Sequence, residues 1–197
     1  MPSPKVEGTS AVKPDVRYTV ADYRTWPDDE RWELIDGVAY SMSPAPRSGH
    51  QRMSRMLFSR LDSFLEGKSC EPFYAPIDVY LPNPGASGET ENTVVQPDIL
   101  VVCDPEKVAD EGIRGAPDFV AEILSDTTAY KDLNEKKDLY ESHGVREYWI
   151  VKPGDGSVLA WRLEDGRYAP VREYRGEEPV DSVVLNGFIW PPRRRPS

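Results

Sequence analysis

The chain has 197 residues and a formal net charge of −10, with 24 Lys and Arg against 34 Asp and Glu. That length buries a substantial core in one domain, and neither an apolar run long enough to span a membrane nor the apolar core of a secretion signal is present, so a cytoplasmic protein is expected. The acidic balance excludes the broad basic footprint of most nucleic-acid binders, leaving a local basic cluster, a bound divalent metal or a groove between subunits as routes to a phosphate.

Residues 1–17 are rich in Pro, Ser, Gly and charge and are expected to form a tail, as is the basic, proline-rich 191–197, with one domain over 18–190. Thr19 followed by Asp22 spells a capping box for a short helix through Tyr23 to Trp26, ended by Pro27. From Arg31 to Met42 near alternation flanks the pair Asp36-Gly37, which predicts a tight hairpin and places Glu33 on a strand. After the Ser43-Pro44-Ala45-Pro46 loop, Met53, Met56, Leu57, Arg60, Leu61, Phe64 and Leu65 recur at helical spacing, with Ser48 as cap and Gly67 just past the end. Phe73, Ile77, Val79 and Leu81 read as one face of a strand, followed by a long loop from Pro82 to Thr93. Cys70 and Cys103 are too few and too unpatterned for a disulfide framework or a zinc knuckle, and read as small buried or half-buried residues of a reducing compartment.

Two apolar, β-branched runs follow, Gln96 to Val102 and Pro117 to Leu124, each carrying one acid, Asp98 and Glu122. An ionised carboxylate in a buried strand costs several kcal/mol unless a cation or hydrogen bonds compensate. A short helical piece is expected between Asp104 and Ala116. Ser125 to Thr128 offers caps for a helix holding Leu133, Lys136, Lys137, Leu139 and Tyr140, which Gly144 closes. Glu147 to Val151 is a strong strand, and a meander runs from Val158 to Trp190. Strand, helix and strand in the middle, with hairpins on either side, predict an α/β protein with a mixed sheet and helices packed on it.

If Asp98 and Glu122 lie on neighbouring strands and point the same way, their oxygens can share one hard cation such as Mg²⁺. The plain alternative for Asp98 is a solvated strand end. For Glu122 the alternative is an exposed edge or a buried ion pair. Lys136 shares a helix face with Asp132 and Tyr140 and offers an ammonium, although Asp132 and Lys136 also fit a surface i,i+4 pair, and spacing alone does not separate Lys136 from Lys137. His50 is a candidate contact to a phosphate or a metal-bound water, Asp132 a candidate substrate or water contact, and His143 is explained by a helix C-terminus. No phosphate-binding glycine loop, hydrolase triad signature or Cys/His zinc spacing occurs.

Trp32-Glu33-Leu34-Ile35-Asp36-Gly37, the Ser43-Pro44 loop leading to His50, Gln96-Pro97-Asp98 with its apolar run, Ala121-Glu122-Ile123-Leu124-Ser125, Asp132 with Lys136, and Gly144 to Val151 together resemble the Uma-two family of the PD-(D/E)XK restriction-endonuclease-like superfamily. The resemblance implies a restriction-endonuclease-like, four-stranded mixed core with flanking helices and extra hairpins. It implies a DNA-hydrolysing endonuclease using Mg²⁺ (or Mn²⁺), with Asp98, Glu122 and the Ile123 carbonyl around the metal. The resemblance also implies that Glu33 is an additional upstream acid and that Lys136, which it prefers over Lys137, stands in for the lysine that the superfamily sets two residues after the second acid, where this chain has Leu124. The strand ending Tyr148-Trp149-Ile150-Val151 continues with Lys152-Pro153 where the family commonly has Asp-Pro. The rival expectation is a non-catalytic protein that keeps the fold and binds nucleic acid or a partner. A homodimer is expected if the Tyr and Trp positions of the late meander exceed what one core can cover.

Overall fold

A computed structural model describes residues 16–27, 29–42, 47–83, 90–125, 129, 131–176 and 178–190. Residues 1–15 of the first tail, all of the second, the Ser43–Pro46 loop, the middle of the Pro82–Thr93 loop and the caps Asp126, Thr127 and Thr128 lie outside the described residues. The elements in chain order are α1 (Val20–Tyr23), β1 (Trp32–Ile35), β2 (Val38–Ser41), α2 (Ser48–Leu65), β3 (Glu71–Tyr74), β4 (Val79–Tyr80), β5 (Val94–Val95) and β6 (Ile99–Val102). Then come a 3-10 turn (Pro105–Lys107), β7 (Val108–Ala109), β8 (Gly112–Arg114), β9 (Phe119–Ile123), a π-helical segment (Lys131–Lys136) running into α3 (Lys137–Ser142), and β10 (Glu147–Val151). The chain closes with β11 (Val158–Glu164), β12 (Arg167–Tyr168), β13 (Arg172–Tyr174), β14 (Val180–Asp181) and β15 (Ile189–Trp190).

The central sheet has the order β12-β11-β10-β9-β6-β3, with β13 also paired to β11. β9 and β10 run parallel, joined by the crossover through α3, while β6 lies antiparallel to β9 and β3 antiparallel to β6. Strand alternation splits its core in two. Ile99, Val101, Phe119, Ala121 and Trp149 pack on Leu57, Leu61 and Leu65 of α2, while Leu100, Val120, Tyr148 and Ile150 pack with Leu139 and Tyr140 of α3. Burying both faces explains why these strands read as unbroken apolar runs. A second sheet, β2-β1-β5-β4-β8-β7, wraps its own cluster of Tyr18, Trp26, Trp32, Leu34 and Tyr80, and β14 pairs with β15.

The hairpin turn falls where Asp36-Gly37 placed it, both residues having positive φ, 49° and 78°. Other expectations are corrected. The capping box at Thr19 is present, but α1 ends at Tyr23 instead of reaching Trp26. Ser48 is the first residue of α2, Arg47 occupies the cap position, and no side chain caps that end. The apolar positions from Phe73 to Leu81 do not form one strand. Pro76, without an N–H to offer a ladder, interrupts them, so β3 joins the central sheet and β4 the second. The Asp104–Ala116 connection holds a β7–β8 hairpin besides its helical turn. Gly112 has φ 138°, and a Cβ there would sit 2.3 Å from the Asp78 carbonyl oxygen, so only glycine lets β8 approach β4 at this point.

Cys70 and Cys103 are joined by a disulfide, which overturns the reading of two separate thiols. They flank the paired residues Glu71 and Val102 of β3 and β6, a register that sequence spacing does not reveal. Of the Tyr and Trp positions in the late meander, Trp161, Tyr174 and Trp190 are buried within the chain and Tyr168 is half-buried, so this stretch leaves no fully exposed aromatic among the described residues. No helix among the described residues is long and apolar enough to cross a membrane.

Candidate active site

Asp98 stands just before β6 and Glu122 is the penultimate residue of β9, the strand beside it. The two are clasped through the main chain. Asp98 N–H donates to Oε2 of Glu122 at 3.1 Å, and Oδ2 of Asp98 accepts from Ile123 N–H at 2.8 Å. His50, in the first turn of α2, reaches the same Oδ2 with its Nε2 at 3.0 Å. Oδ1 of Asp98 receives no hydrogen bond from any described residue, and the side chain is 22% exposed. One carboxylate oxygen of the pair is therefore open.

Glu122 projects to the opposite face from α2, under the π-helical segment and α3. Its Oε1 accepts from Lys136 Nζ at 2.8 Å and from the Tyr140 hydroxyl at 3.0 Å. The same ammonium lies 2.8 Å from Oε1 of Glu33, which β1 brings in from the second sheet, and the main-chain N–H of Gln96 also donates to that oxygen, at 3.0 Å. Lys131 pairs with the other oxygen of Glu33. Asp132 is buried, with Oδ1 4.0 Å from Lys136, so this pair is no surface feature. Lys137 pairs with its exposed neighbour Asp138 and takes no part.

Lys131 escaped the sequence reading for a geometric reason. On an α-helix, residues five apart point about 140° away from each other. The π-helical turn from Lys131 to Lys136 winds more slowly and brings both ammoniums to one carboxylate. The spacing of the two lysines carried no signal of this, because an isolated π-turn is not legible in a periodicity.

Burial opposes ionisation of Glu33, but Lys131 and Lys136 outweigh it and hold the carboxyl at about 2. Glu122 moves the other way. Burial pushes it up to about 8, against Lys136 and together with the negative charges of Asp132, Asp98 and Glu33. Burial disfavours the charge on Lys136 as well, yet Glu122, Glu33 and Asp132 keep it well above the ordinary lysine value. With all four carboxyl groups of this cluster ionised against its two ammoniums, the formal imbalance is −2, which one divalent cation would offset.

Whether the residues suit such a cation turns on the donor set. Two carboxylates, one with an open oxygen, match Mg²⁺, which binds through one or two carboxylates and keeps several waters. Among the described residues no group of three His, Cys, Asp or Glu side chains converges as an all-protein cage. The residues fit the group.

A mixed sheet with helices on both faces and acids gathered at its strand ends defines the restriction-endonuclease-like class. The family model described as Uma2, "Putative restriction endonuclease", matches residues 20–193, and the chain belongs to that family. Among solved structures it is similar to a "putative nuclease belonging to DUF820" from Anabaena variabilis ATCC 29413, with a TM-score of 0.70 and 17% identity over 88% of this chain and 94% of that one. No curated protein matches the chain.

Proposed function

We propose that the protein is a Mg²⁺- or Mn²⁺-dependent endonuclease that hydrolyses DNA phosphodiester bonds. The observation that carries this reading is the clasp of Asp98 to Glu122 across adjacent strands, with Glu122 on the buried ammonium of Lys136 and an oxygen of Asp98 left open. Asp98 and Glu122 would hold the cation, with the Ile123 carbonyl as a further donor. Bound there, the metal supplies a water of lowered pKa and stabilises negative charge on phosphoryl oxygen.

The other roles follow from the protein's own groups. Lys136 would hold Glu33 and Glu122 with two of its three N–H donors and orient the attacking water with the third. Glu33 already has donors on both oxygens, which favours its fixing Lys136 over its binding a second ion. His50 gives Nε2 to Asp98 and has Nδ1 buried, so it would act by orienting that carboxylate and not by meeting the phosphate itself. Water adds to phosphorus, one P–O ester bond breaks, and the departing oxygen takes up a proton.

One observation favours the non-catalytic reading. Lys136 already compensates Glu122 without a metal, as a purely structural buried ion pair would. Supercoiled plasmid incubated with Mg²⁺ or Mn²⁺, beside Asp98→Ala and Glu122→Ala, separates the two. Nicking that disappears in both variants supports the nuclease, and equal nicking by wild type and variants overturns the site assignment. Calorimetric titration showing no metal uptake would favour the binding protein.

A further inference from the structure

The chain's acidity leaves open how it holds a polyanion, and the outer surface of α2 and the edge of β3 answer that. From Ser48 to Leu61 the helix contains no acid but has Arg52, Arg55 and Arg60, all exposed. These three have no ion pair or hydrogen bond with any described residue. Elsewhere the basic side chains are largely paired, as with Arg114 to Glu111, Arg167 to Glu141 and Arg175 to Glu173. Unpaired guanidinium groups collected on one helix of a protein with net charge −10 form the local basic cluster that the composition demands.

Arg52, Arg55 and Phe58 follow one another at i,i+3 spacing and so form one row. The row ends on an aromatic contact, because the Phe58 ring meets that of Tyr74 edge-on with centroids 4.6 Å apart. Tyr74 is the most exposed large apolar side chain among the described residues, at 59%. It closes β3, the edge strand of the central sheet, and pairs with Ile99, the residue after Asp98. The next residue, Ala75, donates its N–H to the Asp98 carbonyl at 3.0 Å. An exposed ring fixed by a neighbour, with guanidinium groups in line and the acid pair one residue away, has the composition of a single-strand binding platform, in which bases stack on aromatics and phosphates meet arginines.

We propose that Tyr74, Arg52 and Arg55 form the docking strip for the substrate strand, with a base of a single-stranded segment stacked on Tyr74 and the adjoining phosphates on the two arginines. This rests on the nuclease reading and adds to it the path of the strand away from the acids. The strip lies on the α2 side of the sheet, so the strand crosses the sheet edge at His50 to bring a phosphate to Asp98.

The test is fluorescence anisotropy of a labelled single-stranded oligonucleotide and its duplex, in Ca²⁺ to limit hydrolysis, across a salt series. Tyr74→Ala should weaken single-strand binding roughly ten-fold with an unchanged salt slope, affect the duplex less, and be rescued by Tyr74→Trp. Arg52→Ala with Arg55→Ala should weaken binding and reduce the slope of log affinity against log salt by roughly 1.4 for two phosphate contacts. All positions are at the surface, so circular dichroism and melting should match wild type. Wild-type affinity in Tyr74→Ala, or an unchanged salt slope in the arginine variant, overturns the strip while leaving the nuclease intact. A change of sedimentation coefficient in these variants without loss of oligonucleotide affinity also overturns it, in favour of a protein interface. Strip-dependent binding without metal-dependent cleavage overturns only the hydrolytic reading.

Discussion

Asp98 and Glu122 each hold the other's main chain: the Asp98 N–H donates to the Glu122 carboxylate at 3.1 Å, and the Asp98 carboxylate accepts from the N–H that follows Glu122 at 2.8 Å. The carboxylate positions are thereby tied to the β6–β9 pairing itself. An amide oxygen can replace the accepting oxygen of Asp98, so Asp98→Asn should keep the clasp and lose the charge. We expect its unfolding free energy to stay within about 1 kcal/mol of wild type, while Mg²⁺ affinity measured by calorimetry falls at least ten-fold. A large loss of stability without loss of metal affinity would contradict this.

Lys136 contacts two buried carboxyl groups at once, each at 2.8 Å. Lys136→Met keeps the stem and removes the charge, leaving Glu33 and Glu122 without their shared cation. Loss of about 3–5 kcal/mol in urea denaturation is expected, together with loss of plasmid nicking. Lys131→Met should cost less, because Lys131 is partly exposed and Glu33 retains Lys136.

The two glutamates should give opposite pH dependences in metal-free protein. Glu33 is held at about 2 against an ordinary 4.5, so its stabilising contribution is present above pH 4.5 and is lost as pH falls through 2. Glu122 is raised to about 8, so its contribution is present below pH 4.5 and is lost as pH rises through 8. Urea denaturation between pH 5 and 9 should show a decline that Glu122→Gln flattens. Because burial raises the Glu122 carboxyl, a metal ion has to compete with its proton, and Mg²⁺ affinity measured by calorimetry should rise between pH 5 and pH 9.

Glu147, fully buried at the start of β10, accepts from Trp149 Nε1, the Ser182 hydroxyl and the N–H groups of Val183 and Val184. It ties the last segment of the chain to the central sheet. Glu147→Ala strands these donors and should cost roughly 3 kcal/mol. Limited proteolysis should then cut between Tyr174 and Trp190, where wild type resists.

The Cys70–Cys103 disulfide closes a loop of sequence separation 33. Thiol titration of the unfolded, unreduced protein should find no free cysteine. The double variant Cys70→Ser with Cys103→Ser should lose about 3 kcal/mol.

Much of this was legible locally. Alternation around Asp36-Gly37 gave a true hairpin, helical spacing from Met53 to Leu65 a true helix, and the unbroken runs holding Asp98 and Glu122 two doubly buried strands. The misplacement of two acids in such runs was also local information, since a carboxylate among Val, Ile and Leu signals a compensating partner wherever the strand lies.

Which partner compensates was decided only by the tertiary structure. A hydrophobic period reports the apolar face of one element and says nothing of the register in which two elements meet. The β1–β5 pairing carries Glu33 to the central sheet, the π-turn swings Lys131 into line with Lys136, the β3–β6 register joins two cysteines, and Pro76 sends β3 and β4 to different sheets. Each depends on contacts between residues distant in the chain, whose free energy exists only once the core has formed. The sequence alone determined the strands, the helix and the need for charge compensation. The tertiary structure determined that Lys136 provides it for Glu122, that the Ile123 N–H and His50 provide it for Asp98, and that one oxygen of Asp98 is left open.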